Sequence, residues 1–279
     1  GVTARLGEHH YLMTTTTGGA ARVFGWIDEW LQCEWTNWKV FITSVTEQWA
    51  TVSIAGPRAR DLVRELAVGT DVSAQAFPHM AIREGRVAGF PGRIVRVSFT
   101  GEVGFELSVP SSYGMALWTA CVTAGAKYGL APFGTEAVHI LRAEKGYIVN
   151  GHEFDGTVTP QDLGMAWAVG KAKPDFIGRR SLDRSDMKRE DRKQLVGLQV
   201  QDANEVLPEG GQVVERVLKS PPMPMIGHIT SSYWSETLKR GIALAMIAGG
   251  HARLGQTVHV PLEDRVVDAV VVSPVFYDP

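Results

Sequence analysis

Several features are scarce in this sequence, and each scarcity excludes a class of protein. Cysteine occurs only twice in 279 residues, as Cys33 and Cys121. This number argues against a disulfide framework and predicts reduced, buried thiols in a cytoplasmic protein. No apolar run approaches the roughly 20 residues that a membrane-spanning helix needs. The net charge is only -2 at pH 7, which argues against a general binder of nucleic acid or of acidic membranes.

Motifs that mark common enzyme classes are also missing. The sequence has no G-x-G-x-x-G after a strand, no Walker A loop and no G-x-S-x-G elbow, so dinucleotide binding, phosphoryl transfer and serine hydrolysis are not indicated. His152, Glu153 and Asp155 stand close together and could suggest a metal site. However, there is no H-E-x-x-H and no paired cysteine, so we predict no metal.

The composition is that of a globular protein, with 44% hydrophobic and 21% charged residues. The length exceeds one average domain. Residues 182–194 are the most charged stretch and mix both signs, as a linker or surface helix does. We therefore predict two domains: an α+β region at residues 1–185, with two lobes that divide near residues 46–52, and a β-rich domain at residues 186–279.

Hydrophobic periodicity predicts the elements of both domains. The first mixes strands and helices without the regular alternation of a doubly wound sheet, which favours the α+β class with mixed or antiparallel sheets. Its predicted strands are residues 2–6, 11–16, 40–45 and 51–55, followed by short strands within residues 80–91 and two strands within residues 94–109. Its predicted helices are residues 20–35, 58–67, 113–128 and 134–145. Residues 150–165 read as a loop. The second domain is predicted to be a small barrel or sandwich, with strands at residues 195–200, 212–218, 226–231, 241–247, 257–260 and 265–272.

Residues 94–109, IVRVSFTGEVGFELSV, are the segment around which the chain is organised. They predict two short strands around a tight turn, with Val95 and Phe99 on one face of the first strand. In the second strand Phe105 and Leu107 flank Glu106, which must point to the opposite face. Two interpretations remain open. Glu106 is either an ordinary exposed glutamate or a carboxylate that binds two adjacent N–H donors of a flat heterocycle.

Three other residues have both a structural and a functional interpretation. Thr15 lies at a strand end and is either a β-edge residue or a ligand contact. Arg142 is either a partly buried ion-pair residue or a ligand contact. Trp167 follows the predicted loop and is either a core residue or an aromatic wall for a planar ligand.

Five blocks of the sequence resemble consecutive blocks of the glycine-cleavage aminomethyltransferase (T-protein) family. They are SFTGEVGFELSVP, GTEAVHILRAEKG, TVTPQDLGMAWAVGK, DFIGRRSL and IGHITSSYWSETLKRGIALAMI. Within that family, these variant blocks and the ending VFYDP are most similar to the members that form the folate-binding part of heterotetrameric sarcosine oxidases. The resemblance implies an aminomethyltransferase-like folate-binding fold with a small C-terminal β-barrel.

The resemblance also implies tetrahydrofolate as the cofactor. Glu106 matches the family glutamate that holds the pterin ring, Trp167 matches a tryptophan that lines the folate, and Thr15 lies where a strand end approaches it. Phe99 takes the place of a tyrosine in the common YTGE block, which leaves stacking without the hydroxyl.

The residue that contacts the folate tail in the family is not matched in this sequence. Val138 stands where glycine-cleavage members carry an arginine, so Arg142 is the candidate substitute. The chain opens at Gly1 inside a strand pattern, as if cut from a longer polypeptide, and the first segment of the family has no counterpart. The family's catalytic aspartate then lies upstream of Gly1, so no catalytic residue is assigned.

The function implied by the resemblance is capture of the methylene unit from sarcosine demethylation as 5,10-methylenetetrahydrofolate. FAD, FMN and NAD would be bound elsewhere in the intact complex, by the rest of the alpha subunit and by other subunits. Nucleic acid and membranes are not expected partners. Two alternatives stay open: a free-standing aminomethyltransferase or folate-dependent demethylase, and a non-catalytic folate-fold assembly module.

Overall fold

The computed structural model describes residues 1–220 and 222–279. Its helices are α1 Ala20–Cys33, α2 Ala59–Leu66, α3 Gly114–Gly125, α4 Thr135–Glu144 and α5 Arg179–Leu182. Its strands are β1 Val2–Gly7, β2 His10–Thr14, β3 Trp49–Ala55, β4 Ile82–Val87, β5 Phe90–Val95, β6 Gly104–Pro110, β7 Lys193–Val200, β8 Gln212–Val214, β9 Met225–Ser235, β10 Arg240–Ala248, β11 Thr257–Pro261 and β12 Val266–Val272.

The chain forms two compact units, residues 1–98 with 102–132 and residues 99–101 with 133–279. The short segment 99–101 belongs to the second unit although the strands on either side of it belong to the first. The domain division between residues 185 and 186 stays a prediction.

The first unit contains the predicted β1–β2 hairpin and an antiparallel four-stranded sheet in the order β3-β6-β5-β4. Helices α2 and α3 contribute to the core of this unit. The core combines residues from the sheet, from these helices and from the connections between them. Its largest buried side chains are Leu62, Phe77, Ile94, Phe105, Leu107 and Leu117.

Helix α2 shows why this core forms where it does. Ala59, Leu62, Val63 and Leu66 recur at helical spacing, and all four are buried. By contrast, no residue of α1 is buried. The residues predicted to form its apolar face are nevertheless half-buried, whereas most other α1 residues are exposed; that face consists of Val23, Phe24, Ile27, Trp30 and Leu31.

Two predicted strands need correction. Residues 40–45 form no strand. Phe41 in this segment is 95% exposed, and no neighbouring strand pairs with it. The strand predicted to run through Val95 and Phe99 ends at Val95.

The connection between β5 and β6 is consequently longer than the predicted tight turn. Residues 96–103 form this connection, and Gly101 adopts a φ of 84° within it. A Cβ at Gly104 would lie 2.7 Å from the carbonyl oxygen of Val97. The two strands nevertheless pair as a hairpin, with Ile94 opposite Leu107. Both of these side chains are fully buried, so the core face of β5 contains Ile94 rather than Val95.

The second unit contains α4, the predicted irregular loop at 150–165 and a closed barrel in the order β10-β7-β12-β11-β8-β9. All six predicted strands of this barrel are present, which confirms the barrel and resolves the choice between barrel and sandwich. The barrel interior is aliphatic. Its buried residues include Val196, Leu198, Val213, Ile229, Ile247, Val258, Val260 and Val271.

The two cysteines differ in environment. Cys121 is buried and Cys33 is exposed, and both are free thiols. The prediction of two buried thiols is thus wrong for Cys33. Burial raises the pKa of the Cys121 thiol to about 11, which leaves it protonated near neutral pH. No helix in the described part of the chain is both long enough and apolar enough to cross a membrane.

Candidate functional site

Glu106 lies in the middle of β6, on the face of the sheet that turns away from the core. Its chain neighbours Phe105 and Leu107 have no exposed surface, as the alternation along the strand predicts. Pairing with the strands on both sides places Ser53 of β3 and Val95 of β5 directly opposite Glu106. Rigid sheet on both sides therefore fixes the position of the carboxylate.

The electrostatic environment of Glu106 is unusual for a glutamate on a sheet. The residue is half-buried, and desolvation raises the pKa of its carboxyl group above the ordinary value. Among residues 1–220 and 222–279, no hydrogen-bond or ion-pair partner of this carboxylate is found. A carboxylate that has lost water without gaining a partner is a typical ligand-binding group, because a ligand with N–H donors restores the lost hydrogen bonds.

Other polar side chains on the same face of this sheet do have partners. The hydroxyl groups of Thr51 and Ser108 lie 2.9 Å apart in a hydrogen bond. Arg93 Nε donates to Glu84 at 3.0 Å, and its guanidinium stacks 4.1 Å from the ring centroid of Trp49. The unpaired state of Glu106 is therefore a local property of that position rather than of the whole face.

Thr15, also in the first unit, follows the last residue of β2. Its side chain is half-buried, and its hydroxyl donates to the backbone oxygen of Thr16 at 3.2 Å. This bond leaves the lone pairs of the Thr15 oxygen available as acceptors. Its contact with folate remains a prediction.

In the second unit, Phe99 and Arg142 are joined through Tyr147. The ring of Phe99 stacks on Tyr147 with centroids 6.1 Å apart, and 45% of Phe99 is exposed. Arg142 Nη1 donates to the backbone oxygen of Tyr147 at 3.0 Å. The stacking of Phe99 on folate remains a prediction.

Arg142 is fully buried and forms an ion pair with Glu153, at 2.8 Å between Nη1 and Oε2. Arg142 Nη2 donates to Ser231 Oγ at 2.6 Å, and that hydroxyl donates to Glu153 Oε1 at 2.6 Å. Glu153 also accepts the backbone N–H of Val149 at 2.8 Å. With no exposed surface, Arg142 has none to offer a folate tail. The structure therefore describes the ion-pair alternative and gives no support to the ligand contact.

Trp167 lies in a short 3₁₀ turn, Ala166–Ala168, and is 78% exposed. The core interpretation of this tryptophan is wrong. The exposed indole could stack on a planar molecule, and its role as an aromatic wall stays a prediction.

His152, Glu153 and Asp155, which the sequence suggested as a possible metal site, contact different partners in the structure. Glu153 binds Arg142, and Asp155 accepts from the backbone N–H and the hydroxyl of Thr157, each at 2.7 Å. His152 Nδ1 lies 3.1 Å from Glu209 Oε1 but lacks the geometry of a hydrogen bond. These carboxylates therefore do not converge with His152 on one point.

Ser53 is a polar neighbour of Glu106 that no sequence motif marks. It is exposed and lies directly across from Glu106. The available signal was the alternation of Thr51 and Ser53 with Val52 and Ile54 in the predicted strand, which assigns Ser53 to the polar face. The missing information was which strand would lie beside it, because the pairing of β3 with β6 joins segments about 50 residues apart in sequence.

Comparison with known proteins gives two matching family models. Residues 1–173 match the GCVT N-terminal domain, and residues 193–278 match the glycine cleavage T-protein C-terminal barrel domain. The structure of glycine cleavage system aminomethyltransferase T from Bartonella henselae superposes with a TM-score of 0.82 at 21% identity, covering 99% of this chain and 71% of that one. This similarity confirms the predicted aminomethyltransferase-like fold.

Curated relatives fall into two groups. The sarcosine oxidase subunit alpha of Corynebacterium sp. (strain P-1) is 47% identical over the whole chain, which spans 29% of that relative. The aminomethyltransferase of Thermoanaerobacter sp. (strain X514) is 30% identical over 89% of this chain and 65% of the relative. The predicted similarity to sarcosine oxidase alpha subunits is thereby confirmed.

Proposed function

Because this chain belongs to the glycine-cleavage T-protein family, we propose that it is a tetrahydrofolate-dependent one-carbon transfer module. Its product is 5,10-methylenetetrahydrofolate, formed from the methylene unit that oxidation of sarcosine releases. The identity to sarcosine oxidase alpha subunits supports sarcosine as the source. The chain spans about 29% of the length of such relatives, so the oxidation is assigned to the rest of that polypeptide and to other subunits in the cytoplasm.

One observation carries the proposal: the half-buried, unpaired carboxylate of Glu106 on a rigid strand. A pterin offers a ring N–H and a neighbouring amino group along one edge, and a carboxylate accepts from both at once. Such a bidentate, charge-assisted pair is strong and directional. Ligand binding would supply the partners that the described residues do not provide for Glu106.

The other predicted folate contacts are proposed on weaker grounds. Trp167 and Phe99 offer exposed aromatic surface, and Thr15 offers a hydroxyl oxygen. Each is assigned by resemblance to the family, and each is testable by itself. Arg142 is omitted because it has no exposed surface.

When bound, the folate would supply two nucleophiles, N5 and N10, for the methylene carbon, and glycine would be the leaving group. The chain contributes by holding the pterin in one orientation, so its share of catalysis is positioning. FAD, FMN and NAD are assigned to the intact complex and not to this chain. No residue of this chain is assigned as a proton donor or acceptor in the reaction.

Tetrahydrofolate binding to the purified chain tests the proposal. We expect Glu106→Gln to weaken binding by about 30- to 150-fold, because glutamine keeps one acceptor and points a donor at the ligand's donors. Glu47→Gln is the matched control, since Glu47 is exposed and should bind like the parent chain. Equal affinities for the Glu106 variant and the parent would exclude the pterin role.

A free-standing aminomethyltransferase is the second candidate, and the relative from Thermoanaerobacter favours it. The two candidates differ in what they need. A free-standing enzyme would turn over a one-carbon donor and tetrahydrofolate without flavin subunits, whereas the module would not.

A further inference from the structure

The hydroxyl of Ser53 and the carboxylate of Glu106 form a cross-strand pair. Directly opposed residues in an antiparallel sheet have Cβ atoms about 4.5–5.5 Å apart on the same face. Ser53 pairs with Glu106 in the β3–β6 register. Ile54 and Phe105, the next residues on each strand, are buried, so Ser53 and Glu106 share the face that turns away from the core.

This pair differs from the neighbouring pair on the same two strands. Thr51 and Ser108 hydrogen-bond to each other at 2.9 Å and so satisfy one another. Neither Ser53 nor Glu106 has a side-chain partner among the described residues. An exposed serine alone indicates nothing, but here it stands beside a carboxylate that is half-buried and unpaired.

The edge of a 2-amino-4-oxo-pteridine presents three groups in a row: an amino donor, a ring N–H donor and a carbonyl acceptor. Glu106 can accept from the two donors, but a carboxylate can only repel the carbonyl oxygen. A hydrogen-bond donor is therefore needed beside Glu106. Val95, on the β5 side, has no polar side-chain atom, whereas Ser53, on the β3 side, has a hydroxyl.

We propose that Ser53 donates its hydroxyl hydrogen to the 4-oxo group of the pterin that Glu106 holds, and so completes recognition of that edge. The inference rests on the proposed function and adds a specificity-determining residue to the same site. It also names the ligand class: pteridines with an oxygen at position 4 next to a protonated ring nitrogen.

Two variants of Ser53, one with threonine and one with valine, test the proposal. Ser53→Thr keeps a hydroxyl and Ser53→Val replaces it by a methyl group of nearly the same shape, and both residues suit a strand. The probe is a tetrahydropterin without the p-aminobenzoylglutamate tail, titrated against the full chain. We expect the valine variant to bind about tenfold more weakly than the threonine variant, which should bind like the parent.

Thr51→Val is the control, because it removes a hydroxyl two residues away on the same strand and face. It should leave pterin affinity unchanged. The unfolding transitions of the two Ser53 variants should coincide, since an exposed hydroxyl contributes little to stability. A destabilised valine variant whose pterin affinity equals that of the threonine variant would overturn the proposal in favour of a structural role.

The outcomes separate the two proposals. If Glu106→Gln weakens pterin binding but the threonine and valine variants bind equally, the role of Ser53 is wrong and the proposed function stands. If Glu106→Gln binds like the parent, the proposed function fails, and the role of Ser53 fails with it.

Discussion

Two glutamates of this chain differ in the partners that the protein gives to their carboxylates. Glu153 is 1% exposed and has the buried cation Arg142, the hydroxyl of Ser231 and a backbone N–H around its two oxygens. Glu106 is half-buried and has no such partner among the described residues. The protein supplies the hydrogen bonds of the first carboxylate, and we propose that a ligand supplies those of the second.

Burial alone therefore does not identify a binding residue. Glu153 is the more buried of the two, and the sequence made it a metal candidate because of its neighbours His152 and Asp155. Its partners explain its burial completely, so nothing remains for a ligand to do. At Glu106 the desolvation is partial and uncompensated, which is the state that a ligand can improve.

Breaking the Glu153 pair should have the largest effect. Arg142→Met leaves Glu153 buried without its cation, and we expect a loss of about 3–5 kcal/mol in the free energy of unfolding. Urea denaturation measures this loss. In the double variant Arg142→Met/Glu153→Gln, the amide oxygen can accept from the Val149 N–H and the amide N–H can donate to the Ser231 hydroxyl, which Arg142 no longer occupies, so the variant should regain most of the loss. A double variant as unstable as the sum of its single variants would contradict the account.

Acidification should act on the binding carboxylate. Burial raises the pKa of Glu106, and the ligand's donors need the ionised form. Tetrahydrofolate affinity should therefore be constant above that raised pKa and fall, by up to about tenfold per pH unit, as pH drops through it. Titrations across the acidic range measure the decline. In Glu106→Gln the decline should be absent, and an identical decline in that variant would assign it to another group.

Removing the charge of Glu106 should slightly stabilise the free chain. A carboxyl group with a raised pKa in the folded state binds its proton more tightly there than in the unfolded state, so its ionisation costs folding free energy at neutral pH. Glu106→Gln should raise the free energy of unfolding at pH 7 by less than about 1 kcal/mol. This gain in the free energy of unfolding should shrink as pH falls below the raised pKa of Glu106. A Glu106→Gln variant that is less stable than the parent at pH 7 would instead show that Glu106 has a stabilising partner.

The smallest effect is expected at Trp167. Trp167→Ala should change the free energy of unfolding by less than about 0.5 kcal/mol, because the side chain is 78% exposed. If the indole stacks on folate, affinity should fall by about two- to tenfold. Phe41→Ala, at a 95% exposed aromatic residue, is the control. Equal folate affinity in both variants would remove Trp167 from the site.

Local pattern was sufficient to predict most of the fold. Alternation along β6 predicted which residues face the core and that Glu106 faces away from it, because the period of a strand does not depend on its neighbours. The six barrel strands followed from the same alternation and from the turns between them. The β5–β6 connection was predicted too short because Gly101 and Gly104 serve contacts and backbone angles that alternation does not encode.

Contacts between residues far apart in the sequence could not be predicted from local patterns. The partner of Arg142 on β9, Ser231, lies 89 residues away, and sequence alone left ion pair and ligand contact as alternatives. The exposure of Trp167 depends on which residues pack around it, and a local sequence pattern does not contain that information. The role of Ser53 needed the β3–β6 register.

The ionisation of Glu106 with and without ligand tests the central claim most directly. NMR of the chain with ¹³C-labelled glutamate carboxyl groups would follow the titration of Glu106, assigned by its loss in Glu106→Gln. The account predicts a pKa above the ordinary glutamate value in the free chain, and a pKa well below that of the free chain once a tetrahydropterin is bound, because the pterin's donors stabilise the anion. The same titration curve in both states would contradict it.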